Sequence, residues 1–243
     1  MAASYVDDMR RVVLAGLLLG VSISLGACSN DGDRVGAVIP EDRLDAALLT
    51  LDDFDDEWSQ DLRGVFTSRA EGPQSLDPFG WCPQAREGLD ELVNIEELAG
   101  ETGAAVEFEH ARQDVRRMFH GISQQVWSNE NVSEYFDVVS EAFALCLDQT
   151  WSPEQDQEVT IADLATPDLG DEALSLNISI MTPGPDGDYE WASRMVIVVV
   201  ESSLMILNDL DVQLAEGEPF MSDDEWNAIV EVAVDHFTDV VGV

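Results

Sequence analysis

The residues with the clearest chemistry are Leu25-Gly26-Ala27-Cys28. Small residues directly before a cysteine, at the end of an apolar run, read as the lipobox of a bacterial lipoprotein. A signal peptidase would cut after Ala27, and the Cys28 thiol would carry a diacylglyceryl group at the new N-terminus. The apolar run from Val12 to Leu25 is shorter than the roughly 20 residues a spanning helix needs, and it suits a signal h-region. Asp7 and Asp8 cancel Arg10 and Arg11, whereas the start of a signal peptide is positive, so the reading places translation initiation at Met9.

Two further cysteines remain, Cys82 and Cys146. An oxidising exterior makes a disulfide between them the natural expectation. Closing a loop of that length would contribute roughly 4 kcal/mol in the chain-entropy picture. A metal site or a reactive thiol is the alternative, but no histidine stands at ligand spacing from either cysteine.

Other chemistry is sparse. The sequence has no G-x-S-x-G, no H-E-x-x-H, no phosphate-binding loop and no dinucleotide fingerprint. With so many acids, a close carboxylate pair is expected by chance and identifies no glycosidase. His110 lies on the apolar side of an alternating stretch, where a hydrogen-bonded core histidine is the ordinary outcome, and His120 and His236 say less. Asp52, Asp53, Asp55, Asp56 and Glu57 form the densest acid cluster, of a kind hard cations such as Ca²⁺ favour, yet the spacing matches no EF-hand loop and solvated surface is the simpler account. Asp186 and Asp188 around Gly187 are similar. The reading therefore assigns no catalytic residue, no metal ligand and no cofactor.

The formal net charge is −39. Such an excess repels nucleic acid and anionic headgroups, so neither is expected as a partner of the folded surface, and the domain should hang from its lipid. Every basic residue is arginine and lysine is absent. A GC-rich actinobacterial genome explains this, with salt adaptation the competing explanation of the acid excess.

The elements that must position any site follow from periodicity. Residues 1–27 read as signal peptide, 28–40 as lipid anchor and tether, and 41–243 as one α+β domain. At about 3.4 Å per residue the tether lifts that domain off the bilayer. Leu44 to Leu49 form a helical turn, and Trp58 is expected to plug the core. Pro83 opens a helix carrying Leu89, Leu92, Val93 and Leu98 that ends at Gly100. Val106, Phe108 and His110 alternate with Glu107 and Glu109 in a strand, and a second strand runs from Met118 to Trp127, its facing ambiguous. Asn131-Val132-Ser133-Glu134 has capping-box spacing ahead of a helix with Phe136, Val139, Phe143 and Cys146 inward, ended by Trp151 and Pro153.

Strands follow at Val159 to Ala162 and at Leu174 to Ile180, the latter with Ser175, Asn177 and Ser179 facing out. Pro183 to Asp188 is a loop. Met195 to Val200 is apolar on both faces and reads as a central strand, turned by Glu201-Ser202-Ser203 into Leu204 to Leu207. Ser222 and Glu225 repeat the capping-box spacing before a last helix with Trp226, Ile229, Val230, Ala233, Phe237 and Val240 on one face. Consecutive hairpins with helices to one side argue α+β with a mainly antiparallel sheet.

Leu48-Leu49-Thr50-Leu51-Asp52-Asp53 with Trp58, the cysteines at 82 and 146, and Leu169-Gly170-Asp171-Glu172-Ala173 together resemble the actinobacterial extracytoplasmic lipoproteins and receptor-kinase ectodomains of the PknH-like sensor-domain type. The resemblance covers Ala46 to Val241 in order of elements. It departs in having one candidate disulfide where the sensor ectodomain has two, and no kinase or second transmembrane segment. It implies recognition of an envelope ligand in a cleft. The expectation is thus a non-enzymatic lipoprotein on the extracytoplasmic face of the cell membrane, held through the lipid on Cys28 and binding a small envelope ligand. A structural protein docking another envelope protein is the alternative, and an unrecognised hydrolase the third.

Overall fold

The computed structural model describes residues 38–66, 103–111, 117–152, 157–164, 169–184, 187–214 and 221–242. They belong to the compact unit Val35–Val243, while the other unit, Met1–Arg34, lies outside the described residues together with the helix expected after Pro83.

Eight strands form one antiparallel sheet in the order β1-β2-β3-β8-β7-β6-β5-β4. They are β1 (Trp58–Phe66), β2 (Gly103–His110), β3 (Arg117–Ser128), β4 (Gln149–Trp151), β5 (Glu158–Asp163), β6 (Glu172–Thr182), β7 (Tyr189–Val200) and β8 (Ser203–Leu214). Strands β1 to β3 make one meander and β4 to β8 a second, and the pairing of β3 with β8 joins them. A short helix α1 (Glu41–Leu44) precedes β1, α2 (Val132–Ala144) follows β3, and α3 (Asp223–Val241) follows β8.

Side chains alternate across a strand, and here the alternation builds two cores. Ala105, Trp127, Leu176, Ile197 and Leu204 pack with the Phe136, Val139 and Phe143 face of α2. Their neighbours Ala104, Val106, Val126, Val196, Val198 and Met205 pack on the other side with α3 and the segment Ile39 to Leu49. The helices therefore cover opposite faces, which corrects the expectation of helices to one side. Strand β7 is buried on both faces from Met195 to Val200, as its unbroken apolar run requires.

Two capping expectations part ways. Ser222 accepts from the Glu225 N–H at 3.3 Å, and the Glu225 carboxylate accepts the Ser222 N–H at 2.9 Å. Asp223, Asp224 and Glu225 also lie in the first turn, where negative charge favours the helix dipole. At α2 no side-chain cap is made; the chain is turned instead by Asn129, whose side-chain oxygen accepts the Asn131 N–H at 2.8 Å. That helix ends at Ala144, before Trp151, which belongs to β4.

Two further expectations are corrected and one left open is settled. Ser175, expected to face out, is buried on the α3 side of β6. Trp58 is half-buried at the rim of the second core and begins β1, a strand the periodicity did not indicate. The facing of β3 is settled by its neighbours. Gln124 points to the α3 side, where it accepts the Leu49 N–H at 2.6 Å and donates to the Ala47 carbonyl at 3.1 Å. It thereby fixes the N-terminal segment across the sheet, while Ser123 and Gln125 point to the α2 side. No helix among the described residues is long and apolar enough to cross a membrane.

Candidate functional site

On the α2 face the apolar core gives way, part-way along the central strands, to a polar strip. Gln125 of β3, Asn208 of β8 and Ser193 of β7 share the parity of Trp127, Leu204 and Ile197, so all three point to this side. They occupy three successive rows of the ladder. Gln125 stands opposite Ile206, Asn208 lies between Ser123 and Met195, and Ser193 stands opposite Leu210. Glu107 of β2 continues the middle row through Ser123.

These groups are buried: Gln125 is 2% exposed, Ser193 2% and Asn208 8%. Gln125 Oε1, Ser193 Oγ and Asn208 Oδ1 nevertheless have no hydrogen-bond partner. A buried polar atom left unsatisfied costs about 1–3 kcal/mol, so three of them in successive rows are a cost to the fold that the apolar core around them does not offset. Burial, and next to it the charge of Asp61, push the Glu107 carboxyl above the ordinary carboxylate range. Buried atoms of the same kind on Ser140, Trp151 and Ser175 lie on α2, on β4 and on the opposite face.

A second polar group crosses the α3 face at the rim of its core. Trp58 is directly opposite His110 in the β1–β2 ladder. Its ring meets both imidazoles edge-on, with centroids 5.1 Å from His110 and 4.9 Å from His120. His120 Nε2 is 2.7 Å from Asp209 Oδ1. Arg194, opposite Asp209 in the β7–β8 ladder, reaches Asp209 Oδ2 with Nε at 2.9 Å and also with Nη2. The same guanidinium donates to the Met221 carbonyl at 3.2 Å, lies 5.3 Å from the Trp226 ring and approaches Asp223 at 3.4 Å. The start of α3 is thus fastened to β7. With both Asp209 oxygens engaged and the imidazole enclosed, this assembly holds strands and helix together.

The acid cluster divides. The Asp53 carboxylate accepts the Thr50 N–H at 2.7 Å in a local cap and lies 3.8 Å from His236 Nε2. Asp55 and Glu57 turn toward His110, and the three offer ligand atoms within 4.8 Å of one another. Asp188 is exposed, and Asp186 lies outside the described residues. Cys28 and Cys82 also lie outside them; Cys146 is fully buried on the α2 side and is not a free thiol. The reading from sequence missed Gln125, Ser193, Asn208 and the His120–Asp209–Arg194 chain. The available signal was a polar residue interrupting an apolar run, as Asn208 and Asp209 do after Leu204 to Leu207.

No family model and no curated protein sequence matches the chain. Among solved structures the chain is similar to the extracellular domain of PknH from Mycobacterium tuberculosis, with a TM-score of 0.49 and 12% identity over 84% of this chain and 97% of that one.

Proposed function

We propose that the chain is a non-enzymatic, lipid-anchored module of the extracytoplasmic membrane face that binds a small envelope ligand on the polar strip of the α2 face. The observation that carries this reading is the set of three neighbouring buried groups, Gln125, Ser193 and Asn208, whose oxygens lack partners. Their chemistry selects a ligand rich in O–H or N–H donors, seated against apolar strand residues such as Leu210 and Met195. In this reading Cys28 carries the lipid, and Cys82 bridges Cys146.

The test is native mass spectrometry of the protein purified from its own host, followed by extraction of any small molecule that travels with it. A discrete added mass, lost in Gln125→Leu and Asn208→Leu variants that remain folded, is the expected result. A clean unliganded mass, or an added mass indifferent to both substitutions, overturns it. A second reading, docking of another envelope protein, is favoured by Leu62 and Val65, which are exposed on the edge strand β1. Co-purification of a protein lost on Leu62→Lys would support that reading.

A further inference from the structure

We infer that Asp55, Glu57 and His110 form a binding site for a borderline divalent cation of the Zn²⁺ class. The backbone builds the arrangement. The Trp58 N–H donates to the Asp55 carbonyl at 3.3 Å, closing a tight turn, and the Ala111 N–H donates to the Glu57 carbonyl at 2.8 Å, tying that turn to the end of β2. Asp55 Oδ1 accepts the Glu57 N–H at 2.9 Å, which fixes the carboxylate and leaves Oδ2 for a ligand. His110 is fully buried, and its ring is set by the edge of Trp58.

The spacing carries the argument. His110 Nε2 and Glu57 Oε2 are 3.4 Å apart, long for a hydrogen bond between charged groups. Two ligand atoms each about 2.1 Å from one ion at a tetrahedral angle stand about 3.4 Å apart. The third group, the Asp55 carboxylate, falls within the 4.8 Å that encloses all three ligand atoms. Three protein ligands with the carboxylates exposed leave a further position to water or a partner group. One imidazole nitrogen in the set selects Zn²⁺ and its neighbours over Ca²⁺ and Mg²⁺, which take oxygen ligands. The chain's charge of −39 raises the local concentration of any dication. Binding requires the lone pair of His110 Nε2, so a protonated imidazole must release its proton and uptake weakens on acidification.

The experiment is calorimetric titration of the full chain with Zn²⁺ in excess Ca²⁺ and physiological salt, where diffuse binding to surface acids is suppressed. One saturable equivalent is expected. Asp55→Asn and Glu57→Gln, both at exposed positions that leave the fold intact, should each weaken it by more than the roughly tenfold that removal of an outer partner costs. Co²⁺ replacing Zn²⁺ should show the visible bands of a nitrogen-ligated, low-coordinate ion, and these should vanish in His110→Asn. Absence of saturable uptake, or uptake unchanged in both carboxylate variants, overturns the site. Displacement of Zn²⁺ by Ca²⁺ at equal concentration overturns the choice of ion.

Discussion

Replacing Asp209 by Asn tests whether the chain of buried polar groups on the α3 face is structural. The substitution keeps the shape and removes the charge. Arg194, with its side chain 13% exposed, loses its closest anion, and His120 Nε2 meets an amide in place of a carboxylate. Stranding one partner of a buried ion pair costs about 3–5 kcal/mol. Arg194 retains the Met221 carbonyl and Asp223, so the loss should fall at the lower end, about 3 kcal/mol. For a domain of this size each kcal/mol lowers Tm by about 2–4 °C, giving a drop of roughly 6–12 °C by circular dichroism. The double variant Arg194→Met, Asp209→Asn should lose less than the sum of the two single losses, because the second change strands nothing further. A fall of less than about 2 °C for Asp209→Asn, or strict additivity in the cycle, would refute the assignment.

Two further outcomes follow from charge. Because burial and Asp61 hold the Glu107 carboxyl above its ordinary range, its contribution to stability is complete below the unfolded-state value and is lost as pH rises through the folded-state value. Glu107→Gln should therefore melt higher than the parent at neutral pH, with the two converging below about pH 4, and a difference independent of pH would contradict this. With a net charge of −39 and screening over about 8 Å at physiological salt, Tm should rise with NaCl; a flat or falling series would show that self-repulsion is not a main cost of this fold.

What could be read from the sequence was whatever a single strand or helix reveals by itself. Val106, Phe108 and His110 against Glu107 and Glu109 showed β2, the two-faced run from Met195 showed the centre of the sheet, and Ser222 with Glu225 showed the start of α3. Strand β1 was hidden because an edge strand wets most of its residues: Ser59, Gln60, Asp61 and Leu62 are all exposed, so no period of two survives. The position of the helices was hidden because side choice depends on which strands pair, and nothing local to α2 or α3 states it. The same holds for the polar strip. Gln125, Ser193 and Asn208 look like ordinary strand polars until the pairings of β3, β8 and β7 set them in adjacent rows of one face.

Those pairings raise the question of what fixes them, since a slip of one residue sends every side chain of a strand to the other face. Apolar residues cannot settle it in β7, where both faces are buried from Met195 to Val200 and a slipped Val–Ile run would pack nearly as well. The polar pairs can. Arg194 and Asp209 face each other on the α3 side, while the sequence neighbours Ser193 and Asn208 point to the α2 side. Slipping β7 against β8 by one residue would aim the guanidinium at the α2 side, where no carboxylate of β8 meets it, and leave the Asp209 carboxylate buried without it, a penalty of several kcal/mol for each stranded ion. The ion pair on one face therefore specifies the register that assembles the polar strip on the other. It follows that Asp209→Asn, though its side chain lies on the face opposite the strip, should loosen the rows of Gln125, Asn208 and Ser193, while Gln125→Leu and Asn208→Leu leave the His120–Asp209–Arg194 chain intact. Amide exchange of β7 and β8 distinguishes the two: protection should fall along both strands in the first variant and remain in the others, and equal protection in all three would break the link between lock and strip.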